Sequence, residues 1–245
     1  MSFITIQFSS KGGRTYNEDS LCVLLEQNVF FAAVADGLGM HGGGDIASGK
    51  AVEEISRSFK EKPVIDEKAI VSFIEKANQA ILDGHTADCQ MKSTIVALFS
   101  NDEGYAVAHM GDSRLYHFTD GRLDFQTVDH SVSQAAAFSG KISTSQIRFH
   151  EDRNRVLRAL GVEGVANPQI IISTERISER DVFLLCSDGF WEYVWETEME
   201  IDLAKSEAPE TWIANMLARV GKRINGKNDN LSAVAIFYFE SEEKQ

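Results

Sequence analysis

Nine short runs rich in Val, Ile and Phe recur along the chain, and they limit the folds open to it. They occupy 3–8, 21–26, 29–35, 93–100, 105–110, 114–118, 169–174, 181–187 and 232–239, and their length and β-branched content read as strands. Several are separated by hairpin-sized intervals: Gln27-Asn28, 101–104 and 119–122. Connections this tight join antiparallel neighbours, because a parallel pair needs a long crossover. Helical spacing is confined to separate blocks. Residues 66–87 carry Ile70, Phe73, Ile74, Ala77 and Ile81, and 211–224 carry Trp212, Ile213, Met216, Leu217, Val220 and Ile224. A third helix is expected from near Asp45, with Ser48, Val52, Ile55 and Phe59 on one face, and a short fourth over 154–160. Strand runs with separate helix pairs predict an α+β fold whose sheets are covered by helices.

At 245 residues the chain has room for one large domain or two small ones. With 43% apolar and 25% charged residues it reads as an ordinary soluble globule. Its net charge of −13 repels nucleic acid and anionic membranes, so neither is expected as a partner. No apolar run reaches the roughly 18 residues of a membrane span, and the first residues lack the basic and apolar regions of a signal peptide. Cys22, Cys89 and Cys186 are odd in number and widely spaced. That pattern suggests no zinc knuckle or disulfide framework, and a reducing, cytoplasmic location fits.

Three strands run into an acid beside a glycine: Asp36-Gly37, Gly111-Asp112 and Asp188-Gly189. A fourth acid, Asp229, immediately precedes the last strand. Asp-Gly is a common turn pair, and Asp120-Gly121 is read as a plain turn. In antiparallel sheets the end of one strand lies beside the start of its neighbour, so the four acids can meet at one edge. Carboxylates about 4 Å apart repel by roughly 4 kcal/mol per pair at an effective dielectric near 20. A cluster therefore calls for cations, and oxygen-only donors favour hard ions, Mg²⁺ or Mn²⁺. Glycine after Asp36 leaves the Gly37 carbonyl free to turn toward an ion. The stretch "GGRTYNEDS" sets Arg14 near Glu18 and Asp19. It is either a solvated loop or a guanidinium placed for phosphate. Acids plus Arg, with no Ser/His or Cys nucleophile motif, point to metal-assisted attack of water on phosphorus.

Gly37, Gly39 and Gly42 also spell the G-x-G-x-x-G of dinucleotide sites. That reading is weak. The candidate ribose acids Glu53 and Glu54 fall inside the expected helix, and Asp36 would face a pyrophosphate.

"GRTYNEDS", "VADGLGMHGGGDIAS", "AHMGDSRLY", "VDHS", "NRVLRALG", "LLCSDGFWEYV" and "KNDNLSAVAI" follow one another as in the metal-dependent protein phosphatases of the PPM (PP2C) class, which the chain resembles from Arg14 to about Ile236. The spacing is similar to the bacterial stand-alone catalytic domain. The resemblance implies a single domain over 1–245, an α-β-β-α sandwich of two antiparallel sheets flanked by helices. It implies hydrolysis of phosphoserine and phosphothreonine in proteins, opposing a serine/threonine kinase. Two core Mn²⁺ or Mg²⁺ ions are implied, with a third in bacterial members. By motif, Asp36, Asp188 and Asp229 match ligands of the first ion. Asp36, the Gly37 carbonyl and Glu18 through water match the second, and Asp112 with Asp188 the third. Arg14 matches the phosphate-binding arginine, and Asp19 and Asn230 match groups that orient ligands and waters. His41 sits at the family's histidine, where two roles stand: general acid or loop packing. For Asp112 the plain Gly-Asp-Ser turn stands beside the metal reading.

The sequence departs from the usual pattern at Leu38 and Met40 in the glycine loop and at Lys92, where a glycine is common. Residues 134–152, the family's mobile flap, carry no sharp motif. Two other functions within the same resemblance are a non-catalytic phosphoprotein-binding relative and a phosphatase dedicated to one anti-sigma-type regulatory partner.

Overall fold

The central strands are apolar on both faces because both faces are covered. In the computed structural model, which describes residues 2–26, 28–39 and 42–239, the chain order is β1 (Ser2–Ser10), β2 (Asp19–Glu26), β3 (Val29–Leu38), α1 (Gly44–Glu61), α2 (Glu67–Leu82), β4 (Lys92–Ser93), β5 (Ile95–Asn101), β6 (Gly104–Met110), β7 (Arg114–Thr119) and β8 (Arg122–Gln126). There follow α3 (Val132–Phe138), a 3-10 turn (Thr144–Phe149), β9 (Gln169–Ser173), β10 (Asp181–Cys186), α4 (Asp188–Trp191), α5 (Glu196–Leu203), α6 (Pro209–Arg223) and β11 (Leu231–Phe239). One antiparallel sheet has the order β1-β11-β10-β7-β8, the other β2-β3-β5-β6-β9, with β4 paired to β3.

Strand alternation sorts the core into three layers. Phe30, Ala32 and Val34 of β3 meet Phe183 and Leu185 of β10 and Val234 and Ile236 of β11 between the sheets. The opposite face of β3, Phe31, Ala33 and Ala35, packs under α1 and α2 against Ile55, Phe59, Phe73 and Ile74. On the other sheet, Leu184, Cys186, Ala233 and Ala235 lie under Trp212, Ile213 and Met216 of α6. Helix–sheet–sheet–helix layering follows, as anticipated.

Several local expectations differ. Residues 154–160 form no helix. Their backbone groups bond to other segments: Val132 N–H donates to the Arg155 carbonyl, Leu157 N–H to that of His130, and Leu160 N–H to that of Ser93. Those tertiary partners displace the i→i−4 bonds that a helix needs. The run 93–100 is interrupted at Thr94, whose N–H turns to the Asp36 carbonyl at 2.9 Å. β8, α3, the 3-10 turn, α4 and α5 were not anticipated, being short or apolar on one side only. The 66–87 helix stops at Leu82. Asp120 and Gly121 have φ of 51° and 74°, the paired left-handed residues of a tight hairpin turn between β7 and β8. Of the anticipated 27–28 turn, Gln27 lies outside the described residues.

Phe99 is fully buried and its ring meets those of Phe31, Phe59 and Phe73. Phe99→Ala should cost about 3–5 kcal/mol, the usual range for a buried phenylalanine. Urea unfolding checks this, and a loss below about 1 kcal/mol would contradict the packing described.

Candidate metal centre

Each sequence-predicted acid lies where a strand meets its neighbour at one edge of the sandwich. β2 begins at Asp19, directly opposite Asp36 of β3. β10 ends at Cys186, and Asp188 follows as the first residue of α4. Asp229 and Asn230 immediately precede β11. Gly111-Asp112-Ser113 carries the chain from β6 in one sheet to β7 in the other. β3 runs on through Asp36 and Gly37 to Leu38 because Gly37 and Leu38 pair with Ser93 and Lys92. Asp36 is thus a strand residue rather than a turn residue.

Hydrogen bonds tie the edge together across the sheets. Ser187, fully buried, donates to Asp19 Oδ2 at 2.7 Å and accepts from the Ser232 N–H at 3.0 Å. The Asp36 N–H donates to Thr94 Oγ1, which also bonds Ser113 Oγ at 2.7 Å. Asn230 orders the Arg14 loop: its Oδ1 accepts from the Glu18 N–H at 2.8 Å, and its Nδ2 donates to the Lys11 and Tyr16 carbonyls. Arg14 Nη2 donates to Asp229 Oδ2 at 2.5 Å.

Gly37 and Gly39 are required by close approach rather than by a nucleotide. A Cβ on Gly37 would lie 2.1 Å from the Gly44 carbonyl oxygen, and one on Gly39 2.5 Å from Glu18 Oε1. The Glu18 carboxylate is thereby seated against the start of α1, where the Gly44 N–H bonds it. His41 and Met40 lie outside the described residues.

Burial and mutual repulsion raise the affinity of Asp19, Asp36, Asp112 and Asp188 for protons. Asp36 is pushed well above the carboxylate range by burial and then by Asp188, Asp19, Asp112 and Asp229. Asp188 is pushed up by burial and then by Asp112, Glu192 and Asp229. Burial lifts Asp19 to about 6 and Asp112 to about 7. The Asp188 Oδ1 and Asp19 Oδ1 atoms are buried without a hydrogen-bond partner. Unpaired buried carboxylate oxygens with no His or Cys donor beside them suit a hard cation. The side chains are not drawn into a finished coordination sphere: among the described residues no three acidic, histidine or cysteine groups converge as one ligand set. The donor chemistry and the orphaned oxygens fit divalent ions.

A model of the protein phosphatase 2C family matches residues 10–234. The chain belongs to that family. It is similar to the "Serine/threonine phosphatase stp" of Listeria welshimeri, 32% identical over 232 residues, covering 91% of this chain and 90% of that one. It is also similar to the crystal structure of the Mycobacterium tuberculosis serine/threonine phosphatase PstP/Ppp, 27% identical with a TM-score of 0.80, covering 97% of this chain and 99% of that one. A structure of the PstP catalytic domain in complex with two manganese ions is 25% identical, with a TM-score of 0.79 and coverage of 97% and 99%.

Sequence reasoning missed Glu192, Ser187 and Arg153. Glu192 follows Asp188 by four residues, and that one-turn helical spacing was a usable signal. Ser187 adjoins the acid. Arg153 gave no sign: its Nε reaches Glu192 Oε1 at 2.6 Å across 39 positions.

The raised acids set a pH dependence. Each holds its proton more tightly folded than unfolded, so stability falls as pH rises between the two pKa values. For Asp19 and Asp112 that window runs from the ordinary 3.8 to about 6 and about 7. In chelator the melting temperature should therefore drop across this interval, and Mn²⁺ should reverse the drop at its upper end. Thermal melts over pH, with and without Mn²⁺, check this. A metal-free Tm that climbs from pH 4 to about 7 would contradict it.

Proposed function

We propose that the chain is a metal-dependent protein phosphatase that hydrolyses phosphoserine and phosphothreonine. The observation that carries this is the single edge, within a protein phosphatase 2C fold, where Asp36, Asp188, Asp112 and Asp229 sense one another's charge and Arg14 reaches in beside them. Residues 1–245 act as one catalytic domain, since the acids are drawn from both sheets.

Asp36, Asp188 and Asp229 are assigned to one ion. Asp36, the Gly37 carbonyl and Glu18 are assigned to a second, and Asp112 with Asp188 to a third. When bound, Mn²⁺ or Mg²⁺ supplies a Lewis acid that polarises phosphoryl oxygens and lowers the pKa of water. Arg14 is 56% exposed and uses one nitrogen on Asp229, so its other N–H groups can receive a phosphate arriving from solvent. Asp19, anchored by Ser187, and Asn230, which fixes the Glu18 backbone, hold the ligand-bearing segments in place. His41 is assigned to proton donation toward the leaving oxygen. Phosphoprotein substrates imply an opposing serine/threonine kinase. Three cysteines without a disulfide accord with the cytoplasm. Among the described residues no helix is long and apolar enough to cross a membrane.

An aryl phosphate should be hydrolysed in Mn²⁺, with activity abolished by chelation and restored by metal. Asp188→Asn should lower kcat by about a hundredfold or more while the protein stays folded, since it removes charge but not volume at a residue shared by two ions. Near-normal turnover at saturating Mn²⁺ would refute the assignment.

Arg14→Ala should raise KM for a phosphothreonine peptide, and the inhibition constant of inorganic phosphate, by about tenfold or more, the loss expected for a charge-assisted hydrogen bond. Calorimetry should show Mn²⁺ affinity retained. Lost metal affinity with unchanged phosphate inhibition would contradict the role.

A further inference from the structure

Arg148, in the 3-10 turn of the 134–152 segment, makes all its side-chain bonds to one distant stretch. Nη1 donates to the Trp191 carbonyl at 2.6 Å and the Val194 carbonyl at 3.1 Å. Nη2 donates to both oxygens of Glu196, at 2.7 and 2.8 Å. The side chain is only 4% exposed. Burying a guanidinium is costly unless its donors find partners, and here both terminal nitrogens find them at the C-terminal end of α4 and the start of α5. Carbonyls at a helix end lack intrahelical donors, and Arg148 supplies them from another part of the chain.

The far side of that stretch faces the acids. α4 begins with Asp188 and ends with Trp191. Trp191 is 1% exposed, and its Nε1 donates to the Asp112 carbonyl at 2.9 Å. The Arg114 guanidinium lies 3.5 Å over its ring and is itself held by both oxygens of Asp129. Trp191 therefore shares a four-residue helix with Asp188 and grips the backbone of Asp112. Its own carbonyl is fixed by Arg148. A cavity of about 250 Å³, lined by Arg114, Gln134, Ile147, Arg148 and Glu196, lies beneath the segment. Ile147 of the same segment joins the apolar cluster that holds Trp191 and Val194, with Ala137 and Ile142 packed against it, and the Arg148 bonds add a directional polar anchor to that contact.

We propose that Arg148 is a positioning residue: through Trp191 it makes the seating of the 134–152 segment and the placement of the Asp112 and Asp188 carboxylates one mechanical unit. Its bonds run to Trp191, Val194 and Glu196, so its loss acts on the geometry of groups that do touch the reacting atoms. The proposal rests on the phosphatase reading above. Absence of Mn²⁺-dependent hydrolysis in the unmutated protein would defeat that reading, whereas amide exchange judges the strut without any turnover.

The test compares Arg148→Ala and Arg148→Lys with the unmutated protein, by aryl phosphate kinetics at saturating Mn²⁺ and by hydrogen–deuterium exchange. Arg148→Ala should lower kcat by about tenfold or more while KM changes by less than about twofold, the split expected when positioning rather than binding is lost. Exchange should quicken in 143–149 and also in 111–113 and 188–195. Arg148→Lys keeps the charge but not the fork, and should recover part of the turnover and part of the protection. Unchanged kcat, or faster exchange confined to 143–149, would overturn the proposal. Should Arg148→Ala not fold, Trp191→Phe keeps a ring but removes the donor to Asp112. It should then lower kcat and quicken exchange at 111–113, and unchanged values in both would overturn the proposal equally.

Discussion

Repulsion among carboxylates gathered at one edge of a β-sandwich is the constraint on which the rest of this structure turns. Asp36 feels Asp188, Asp19, Asp112 and Asp229 at once, and without cations such a group is held together only by the rigidity of what carries it. Rigidity comes from strands buried on both faces: β3, β5, β10 and β11 each contribute one set of side chains to the layer between the sheets and the alternate set to a layer under helices. A strand so clamped cannot rotate an acid away from its neighbours. The acids sit where that clamping ends, at strand termini, so Asp19, Asp112 and Asp188 stay buried at the edge on fixed backbones.

Small polar residues carry the cross-sheet part of the work. Ser187 joins Asp19 to the backbone of β11, and the Thr94–Ser113 pair links the Asp36 amide to the segment bearing Asp112. Hydroxyls suit this place because each can donate and accept at once in a space too tight for a longer side chain. Gly37, Gly39 and Gly44 act in the same sense by omission, letting the β3 end, the Glu18 carboxylate and the α1 start touch.

Farther from the acids, guanidinium groups bind the parts of the molecule that have no strand to hold them. Arg114, buried with Asp129 and stacked on Trp191, and Arg148, spread over Trp191, Val194 and Glu196, connect β7 and the 134–152 segment to α4. Arg153 does likewise through Glu192. Such pairs are weak evidence for net stability, but breaking one leaves a buried charge alone, so they specify one arrangement strongly.

Much of this was legible in the sequence. Apolar runs with tight hairpin intervals dictated antiparallel sheets, and acid-glycine pairs at their ends marked the edge where the acids meet, because both signals are local in sequence. Arg14's place among the acids was legible for the same reason, and the structure sets it on Asp229. The expected helix over 154–160 does not form because its apolar spacing is helical while its N–H groups donate to His130 and Ser93 and its Arg155 carbonyl accepts from Val132, partners that no local pattern displays. Ser187 against Asp19, Arg148 against Glu196 and Arg153 against Glu192 are separated by 168, 48 and 39 positions. By itself the sequence determined which residues carry charge and which faces must be buried, since periodicity and composition are properties of the chain. Which charges become neighbours was decided only by the tertiary structure, because strand order and register set the distances between acids, and distance sets both their repulsion and what they can hold.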